Sequence, residues 1–204
     1  MTFMCDLESM HQIQFVSEVI ASRQTILPKR LTEPGPNAQE LTQLFSAVAA
    51  APDHDLIMPW RFLLIPKNMR ENLGVLFVHA LKERDPRANE EQLTKARDKA
   101  LRSPLLMLLI VDEAKGDPAI DLNERVLSAG CAVQNLMLLA NAMGYGSGLT
   151  SGKALKAESF RKGLSILESE HALCFLNLGT VISRKPFKPR PAMSQFVQVW
   201  GEET

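Results

Sequence analysis

Residue types and spacing in the segment 51–62 suit a ligand site better than those elsewhere in the chain. Two prolines bracket a polar turn in this segment, and the apolar run 62–65 follows it. Proline ends a helix, and a short apolar run after a turn indicates a strand. The turn is therefore expected to hold Asp53, His54 and Trp60 at the edge of a sheet, where a ligand can reach them.

Other side chains that often carry chemistry form no recognisable constellation. Cys5, Cys131 and Cys174 have no metal-ligand spacing, and their odd number favours free thiols in a reducing compartment. The four histidines are far apart, so no metal site is expected. Cys131 lies in an apolar stretch and is expected to be inert, and Trp60 is expected to pack in the core. No side chain is assigned as a catalytic acid, base or nucleophile.

The composition limits the classes of partner. Of the 204 residues, 46% are hydrophobic, which allows a sizeable core in one domain spanning residues 1–204. Lysine plus arginine equals aspartate plus glutamate, with 23 of each, so no basic surface for nucleic acid is expected. The N-terminal residues do not resemble a signal peptide, and no apolar run reaches membrane-spanning length. We therefore expect a cytoplasmic protein with neither a nucleic-acid nor a membrane partner.

Hydrophobic periodicity predicts the elements that position the turn. A helix capped by Asn37, with Glu40 at capping-box spacing, is expected to lead to the turn at Pro52. Further helices are predicted over residues 10–21, 68–84 and 122–143. Buried strands are predicted over residues 60–66 and 104–111, and a third strand over residues 172–181.

Four segments are expected to be less regular. The segment 28–36 contains three prolines and is expected to be an extended loop, and 85–100 is expected to be a solvated surface helix or a mobile lid. The glycines within 144–148 follow a helix rather than a strand, so they are expected to end that helix and not to form a dinucleotide loop. Residues 196–200 alternate like a strand without a hairpin neighbour, which would allow pairing with a second subunit.

Three motifs occur in the order found in one protein family. The sequence reads Ala-Pro-Asp-His and then Pro-Trp within 51–62, Ser-Ala-Gly-Cys-Ala-Val at 128–133, and Phe-Leu-Asn-Leu-Gly-Thr at 175–180. Over about residues 22–179 the chain thus resembles the FMN-dependent nitroreductase family, especially its shortest members. The resemblance implies an α+β fold with a central, mostly antiparallel sheet flanked by helices. It also implies an intertwined homodimer that exchanges a C-terminal arm, residues 183–204.

The resemblance further implies that cations near both ends of the chain bind the phosphate of FMN. Arg23, Gln24 and Thr25 stand where family members carry two cations and a hydroxyl, so one charge is missing at Gln24. Lys188 and Arg190 stand at the place of the second cationic group. A guanidinium and a hydroxyl are suitable phosphate ligands. Simpler interpretations remain open, because Arg23 could pair with a helix dipole and a basic tail could merely be solvated.

The rest of the cofactor is implied to lie between two segments that come from different protomers. One segment is the turn with Pro52, Asp53, His54 and Met58. The other is the loop with Leu149, Thr150, Ser151 and Gly152. Leu56 and Met58 stand where relatives carry amide side chains. Which groups of this chain tune the reduction potential of the flavin is therefore left open. A purely structural role for His54 in the turn also remains an alternative.

These features predict an FMN-dependent oxidoreductase that takes electrons from NADH or NADPH. A small electron-poor acceptor, such as a nitroaromatic or a quinone, would then be reduced in the same place by a ping-pong mechanism. Bound flavin would carry the chemistry, which explains why no catalytic side chain is expected. Two alternatives remain: a flavin carrier or sensor without turnover, and a dehalogenase or flavin-fragmenting enzyme on the same fold. The segment 85–100 is the only candidate lid for the latter, and it is short and polar.

Overall fold

The structure, a computed structural model, describes residues 2–201. The ends of the predicted domain and arm, at residues 1 and 202–204, therefore lie outside the described residues, and so does the side chain of Cys5. The helices are α1 Thr2–Ser22, α2 Ala38–Ala49, α3 Arg70–Arg84, α4 Glu90–Arg97, α5 Leu122–Ala142 and α6 Glu158–Gly163. The strands are β1 Leu31–Thr32, β2 Trp60–Leu64, β3 Leu105–Asp112, β4 Gly146–Thr150 and β5 Glu170–Val181.

The five strands of the described chain form one sheet whose ladders are all antiparallel. The strand β5 pairs with β1, β3 and β4, and β2 forms the edge beyond β3. Helices cover both faces of the sheet, because α2 and α5 pack on one face and α3, α4 and α6 pack on the other. The prediction of an α+β fold with a mostly antiparallel sheet is confirmed.

The sequence of β3 is an uninterrupted apolar run because its side chains alternate between two buried faces of the sheet. Met107, Leu109 and Val111 lie in the hydrophobic cluster beneath α2 and α5. Leu106, Leu108 and Ile110 lie in the cluster beneath α3 and α4. Successive side chains of a strand point to opposite faces, so both faces of β3 must be apolar. The predicted burial of this strand is confirmed.

The predicted helix starts and stops are largely confirmed. Asn37 caps α2, its side chain accepting from the backbone N–H of Glu40, and the Glu40 carboxylate accepts from the backbone N–H of Asn37. Asn89 and Gln92 form a second capping box at the start of α4. The segment 85–100 therefore contains a surface helix, as the first of its two interpretations stated.

Two predictions about elements are wrong, and two others need a finer statement. The strand β2 lies at the edge of the sheet with Leu64 exposed, so it is not fully buried. The segment 28–36 contains a 3-10 turn at Pro28–Arg30 and the strand β1. The prediction that glycine ends the helix before 144–148 is confirmed, because Gly144 follows α5 with a φ of 89°, and β4 then begins at Gly146. Residues 196–200 follow a 3-10 turn at Met193–Gln195 and form no strand within the single described chain, and their pairing with a second subunit stays a prediction.

Arg70, at the start of α3, joins that helix to the segment before β3. The guanidinium is buried and donates hydrogen bonds to the carbonyl oxygens of Ile65 (2.8 Å), Ala100 (2.9 Å), Ser103 (3.2 Å) and Pro104 (3.3 Å). Burial lowers the pKa of Arg70. These bonds fix the 3-10 turn Asp98–Leu101 and the chain that follows it.

We predict that Arg70→Met lowers the free energy of unfolding by about 2–4 kcal/mol, because buried carbonyl oxygens lose charged donors. Chemical denaturation followed by circular dichroism measures the change. Arg87→Met is the control, since Arg87 is exposed, and it should change stability by less than about 0.5 kcal/mol. Equal losses in both variants would show that the Arg70 hydrogen bonds contribute nothing specific.

Candidate functional site

The two ends of the chain meet immediately after α1. The Arg190 side chain donates a hydrogen bond from Nη2 to the carbonyl oxygen of Arg23, over 2.9 Å, although 167 residues separate the two. The Gln24 side chain donates from Nε2 to the carbonyl oxygen of Lys185, over 3.3 Å. The structure therefore brings Arg23, Gln24 and Arg190 together. Lys188 lies on the same arm with an exposed side chain.

Residues after Arg23 attach this group to the sheet. Thr25 forms a parallel bridge with Ser147, and the Ile26 N–H donates to the Ser147 carbonyl over 2.8 Å. A Cβ atom on Gly148 would lie 2.4 Å from the carbonyl oxygen of Ile26, so only glycine allows this approach. The glycines of β4 thus set the distance between the cationic group and the end of that strand.

Asn177 fixes the end of β4 from the neighbouring strand. It is buried in β5, and its Nδ2 donates to Thr150 Oγ1 over 3.0 Å and to the Gly148 carbonyl over 3.3 Å. Its Oδ1 accepts from Ser103 Oγ over 3.0 Å. Sequence reasoning quoted Asn177 in a motif but gave it no role. The available signal was an amide inside an apolar strand, which needs partners when buried.

Leu149 and Thr150 end the strand β4 and do not lie in a loop, which corrects the prediction for these two residues. Ser151 and Gly152 do lie in the loop that follows, and both are exposed. No heavy atom lies within 4 Å of the position that a Cβ atom would take on Gly152. This stretch, residues 149–152, has open space on its surface and a cavity on either side.

The first cavity, here called the apolar crevice, has a volume of about 450 Å³. Arg23, Thr25 and Leu149 line it together with side chains from α5, β3 and β5. Its wall is mainly aliphatic, and Gln134 adds one amide. The crevice thus combines a cation and a hydroxyl at one place with an apolar surface beside it.

The second cavity, here called the cationic cavity, has a volume of about 470 Å³ and lies beside Thr150, Ser151 and Gly152. Its lining includes five cationic residues, namely Arg84, Lys95, Lys99, Arg102 and Lys153, and no carboxylate. Burial lowers the pKa of Lys99, and the charges of Arg102 and Arg84 lower it further. Sequence reasoning missed this cavity because its cations come from separate elements with no common motif.

The predicted turn, residues 52–58, adopts a constrained conformation. Asp55, Leu56 and Met58 have φ angles of 53°, 54° and 47°, in the left-handed region that side chains other than glycine rarely adopt. The Asp53 carboxylate accepts from the Met58 N–H, and Lys115 Nζ donates to the Met58 carbonyl over 2.8 Å. These contacts hold the turn with Leu56 and Met58 exposed at its tip. Pro52, at its start, is also exposed.

His54 has a clear structural partner. Its Nδ1 lies 2.9 Å from Glu124 Oε2 at the start of α5, and this hydrogen bond raises the pKa of His54. The attraction is therefore complete when the imidazole is charged and is lost as the pH rises through the raised pKa. Trp60 is buried and donates from Nε1 to Ser128 Oγ over 3.0 Å, which confirms its prediction as a core residue.

Within the described chain, the turn and the cationic group lie in separate contact networks. The hydrogen bonds and ion pairs of Asp53, His54 and Met58 lead to α5 and Lys115, and none of them joins Arg23 or Arg190. Contribution of the two segments by different protomers stays a prediction. No helix within residues 2–201 has the length and hydrophobicity to cross a bilayer. The same residues contain no cluster of three or more potential metal ligands from His, Cys, Asp and Glu.

Comparison with known proteins identifies the family. The model of the nitroreductase family matches residues 20–180. A protein of Haemophilus influenzae named "Putative NAD(P)H nitroreductase" is 34% identical over 155 residues, which cover 74% of this chain and 82% of that protein. The chain belongs to the nitroreductase family, a family of enzymes, as the sequence predicted.

Solved structures show the same fold. A nitroreductase-like family protein from Bacillus cereus has a TM-score of 0.76 at 19% identity, covering 92% of this chain and 96% of that one. The NADPH:FMN oxidoreductase of Vibrio harveyi, solved with NAD⁺, has a TM-score of 0.71 at 16% identity, covering 93% of this chain and 78% of that one. Sequence identity at this level supports the architecture of the sheet and helices alone.

We predict that Glu124→Gln lowers the pKa of His54 towards its ordinary value, because the neutral amide no longer stabilises the imidazolium. Titration of the His54 ring protons by NMR measures this directly. Glu71→Gln serves as the control, since Glu71 pairs with Arg97 on another surface, and it should leave the His54 titration unchanged. An unchanged pKa in Glu124→Gln would show that the contact with Glu124 is not maintained in solution.

Proposed function

We propose that this protein is an FMN-dependent oxidoreductase that uses NADH or NADPH to reduce electron-poor small molecules such as nitroaromatics and quinones. The observation that carries the proposal is the hydrogen bond from Arg190 to the Arg23 carbonyl, which gathers cations from both chain ends beside residues 149–152. Membership of the nitroreductase family supports it, as do the names of the H. influenzae and V. harveyi relatives.

The residues after α1 suit FMN in charge and in hydrogen bonding. Arg23, Thr25, Lys188 and Arg190 would hold the phosphate. Gln24 Oε1 is buried and has no hydrogen-bond partner among the described residues. This oxygen can only accept, so it would suit a hydroxyl of the ribityl chain and not the phosphate itself. Gln24 thus lacks the positive charge that family members carry at this place, but its buried oxygen needs a hydrogen-bond donor, and a ribityl hydroxyl of FMN would supply one.

The ring of FMN needs apolar walls and a few polar groups at its edges. The apolar crevice supplies such walls next to Arg23 and Thr25. In a dimer, the exposed Leu56 and Met58 of the partner would supply further apolar surface, and the contacts of Asp53 and Lys115 would keep that tip in place. When bound, FMN supplies the ring that accepts hydride from NAD(P)H and delivers two electrons to an acceptor.

The residues of this chain would contribute by orientation and charge. The open surface at Ser151 and Gly152 would admit NAD(P)H and the acceptor in turn, which is a ping-pong order. For a nitro compound, one NAD(P)H and one proton convert the nitro group to a nitroso group, releasing NAD(P)⁺ and water.

We further propose a homodimer as the working unit. Ile13, Val16 and Ile20 of α1 remain exposed in the single chain, and Leu127 of α5 is 70% exposed. An apolar stripe of this extent is typical of a surface covered by another chain. The C-terminal arm also exposes Phe187, Phe196 and Trp200, as an exchanged segment would before its partner covers it. Three cysteines without a disulfide framework support a cytoplasmic location.

We predict that the purified protein binds FMN and that NADPH bleaches its visible absorption under anaerobic conditions. Arg23→Ala should weaken FMN binding by about 1–3 kcal/mol, because a charged hydrogen bond to phosphate is lost. Titration by quenching of FMN fluorescence measures the affinity, with Arg87→Ala as a matched loss of charge on an exposed loop. Protein that neither binds FMN nor oxidises NAD(P)H with menadione would overturn the proposal.

We predict a mass near twice the 22.7 kDa of one chain by size-exclusion chromatography with light scattering. Val16→Asp should shift the mass towards that of one chain, since a charge buried in an apolar interface is costly. Leu167→Asp also places a charge at an exposed leucine, away from α1, and should leave the mass unchanged. A monomeric wild-type protein would contradict the homodimer.

A further inference from the structure

We propose that the tip of the turn 52–58, held in place by Lys115, meets the flavin ring of a second copy through apolar side chains alone. Met58 thereby gives the flavin a lower reduction potential than an amide at this position would. The inference rests on the proposed function, because it concerns the FMN and the dimer proposed above. It deepens that function by assigning the residue that sets the reducing power of the bound cofactor.

Both backbone polar groups of Met58 are bonded within the chain. Its N–H donates to the Asp53 carboxylate, which also accepts from Ser128 Oγ over 3.4 Å. Its carbonyl oxygen accepts from Lys115 Nζ over 2.8 Å. A backbone N–H has one hydrogen, and a carbonyl can only accept. Met58 therefore has no free donor that could replace the amide side chain that relatives carry at this position.

The segment 112–120, here called the supporting loop, holds the turn from the other side. The Arg125 side chain is 1% exposed and fixes this loop. Its guanidinium donates to four carbonyl oxygens, those of Ile120 (2.9 Å), Asp117 (2.8 Å), Asp112 (3.3 Å) and Lys115. Gly116 lies so close to the turn that a Cβ atom there would be 2.7 Å from Ile57 Cγ2. The buried cation thus fixes the loop, and the loop fixes the turn.

The tip of the turn exposes large apolar side chains. Leu56 is 86% exposed and Met58 is 51% exposed. Both residues have φ angles in the left-handed region, which persist only where the surrounding structure enforces them. The chain thus maintains a costly backbone conformation that places two apolar side chains in contact with no core of its own. Such a tip suits an apolar surface supplied by another molecule.

The position of α5 shows why that surface belongs to a second copy. Glu124 and Ser128 of this helix bond to residues 53–54 of the turn. Val126, Val133 and Met137 line the apolar crevice proposed for the ring. At 3.6 residues per helical turn, the second set lies roughly opposite to the first. The helix therefore separates the crevice from the turn of its own chain, and the turn of a second copy has to supply the contact.

The chemical consequence concerns charge on the ring. Reduction of the flavin adds negative charge, and a hydrogen-bond donor beside the ring stabilises that charge. An apolar side chain gives no such bond and excludes water, so it disfavours the charged state. The reduced flavin is therefore less stable beside Met58 than beside an amide. A lower reduction potential makes the reduced cofactor a stronger electron donor to the acceptor.

The test is the reduction potential of bound FMN, measured anaerobically against reference dyes. Met58→Gln adds an amide with little change in side-chain length, and Met58 is exposed enough for the variant to keep its fold. We expect it to stabilise the reduced flavin about tenfold relative to the oxidised flavin, which is a shift of about +30 mV for a two-electron couple. Met58→Leu is the matched control, because it adds no donor, and it should keep the wild-type potential.

The role of Lys115 is tested by combining variants. In a Lys115→Met background the Met58→Gln shift should become smaller, because the tip is no longer fixed against the ring. Lys115→Arg should restore the full shift, since it retains a donor. Lys82 is exposed on α3, on the opposite face of the sheet, so a Lys82→Met background should also leave the shift unchanged. An undiminished shift in the Lys115→Met background would contradict the positioning role.

Equal potentials in the wild type and Met58→Gln, with FMN bound to both, would overturn the inference. An equal positive shift in Met58→Leu would also overturn it, since the shape of the side chain and not a donor would then control the potential. Either result leaves the proposed function intact, provided that menadione is reduced. Failure of the proposed function is recognised separately, by the absence of FMN binding and NAD(P)H oxidation in the wild type.

Discussion

The pairing of β5 with three other strands positions β4 and the residues 149–152 beside which the cationic group lies. Asn177 faces Leu106 of β3 on one side and Gly148 of β4 on the other, so one residue of β5 aligns these two strands. A shift of register by one residue would reverse the faces of the strand. The apolar side chains on both sides of β5 and the hydrogen bonds of Asn177 oppose such a shift.

Elements with a strong local signal could be predicted from the sequence. The capping box of Asn37 and Glu40 depends on residues within one turn, and the apolar run of β3 is long enough to exclude an exposed strand. The order of the family motifs also placed the cationic residues of the two chain ends in one region. The hydrogen bond between Arg190 and the Arg23 carbonyl agrees with that placement.

Features that arise only from tertiary contact could not be predicted. Glycine is rare in strands, so the segment that becomes β4 resembles a turn. Its glycines are explained by Ile26 and Leu31, which approach Gly146 and Gly148 too closely for a side chain. The cationic cavity likewise joins residues from α3, α4 and the loop after β4, whose charges look solvated when each element is considered alone. The strand β2 is partly exposed because it lies at the edge of the sheet, and hydrophobicity alone does not predict the order of strands in a sheet.

The crowding of Arg84, Lys99 and Arg102 also affects how the protein should respond to its ionic environment. Burial is the main cause of the lowered pKa of Lys99, and repulsion from Arg102 and Arg84 lowers it further, so crowding of these charges opposes folding. Dissolved electrolyte weakens that repulsion and so favours the compact state. The same screening weakens the attraction of these side chains for an anionic ligand. As ionic strength increases, the thermal stability of the protein should therefore rise while the affinity of these cations for an anionic ligand falls.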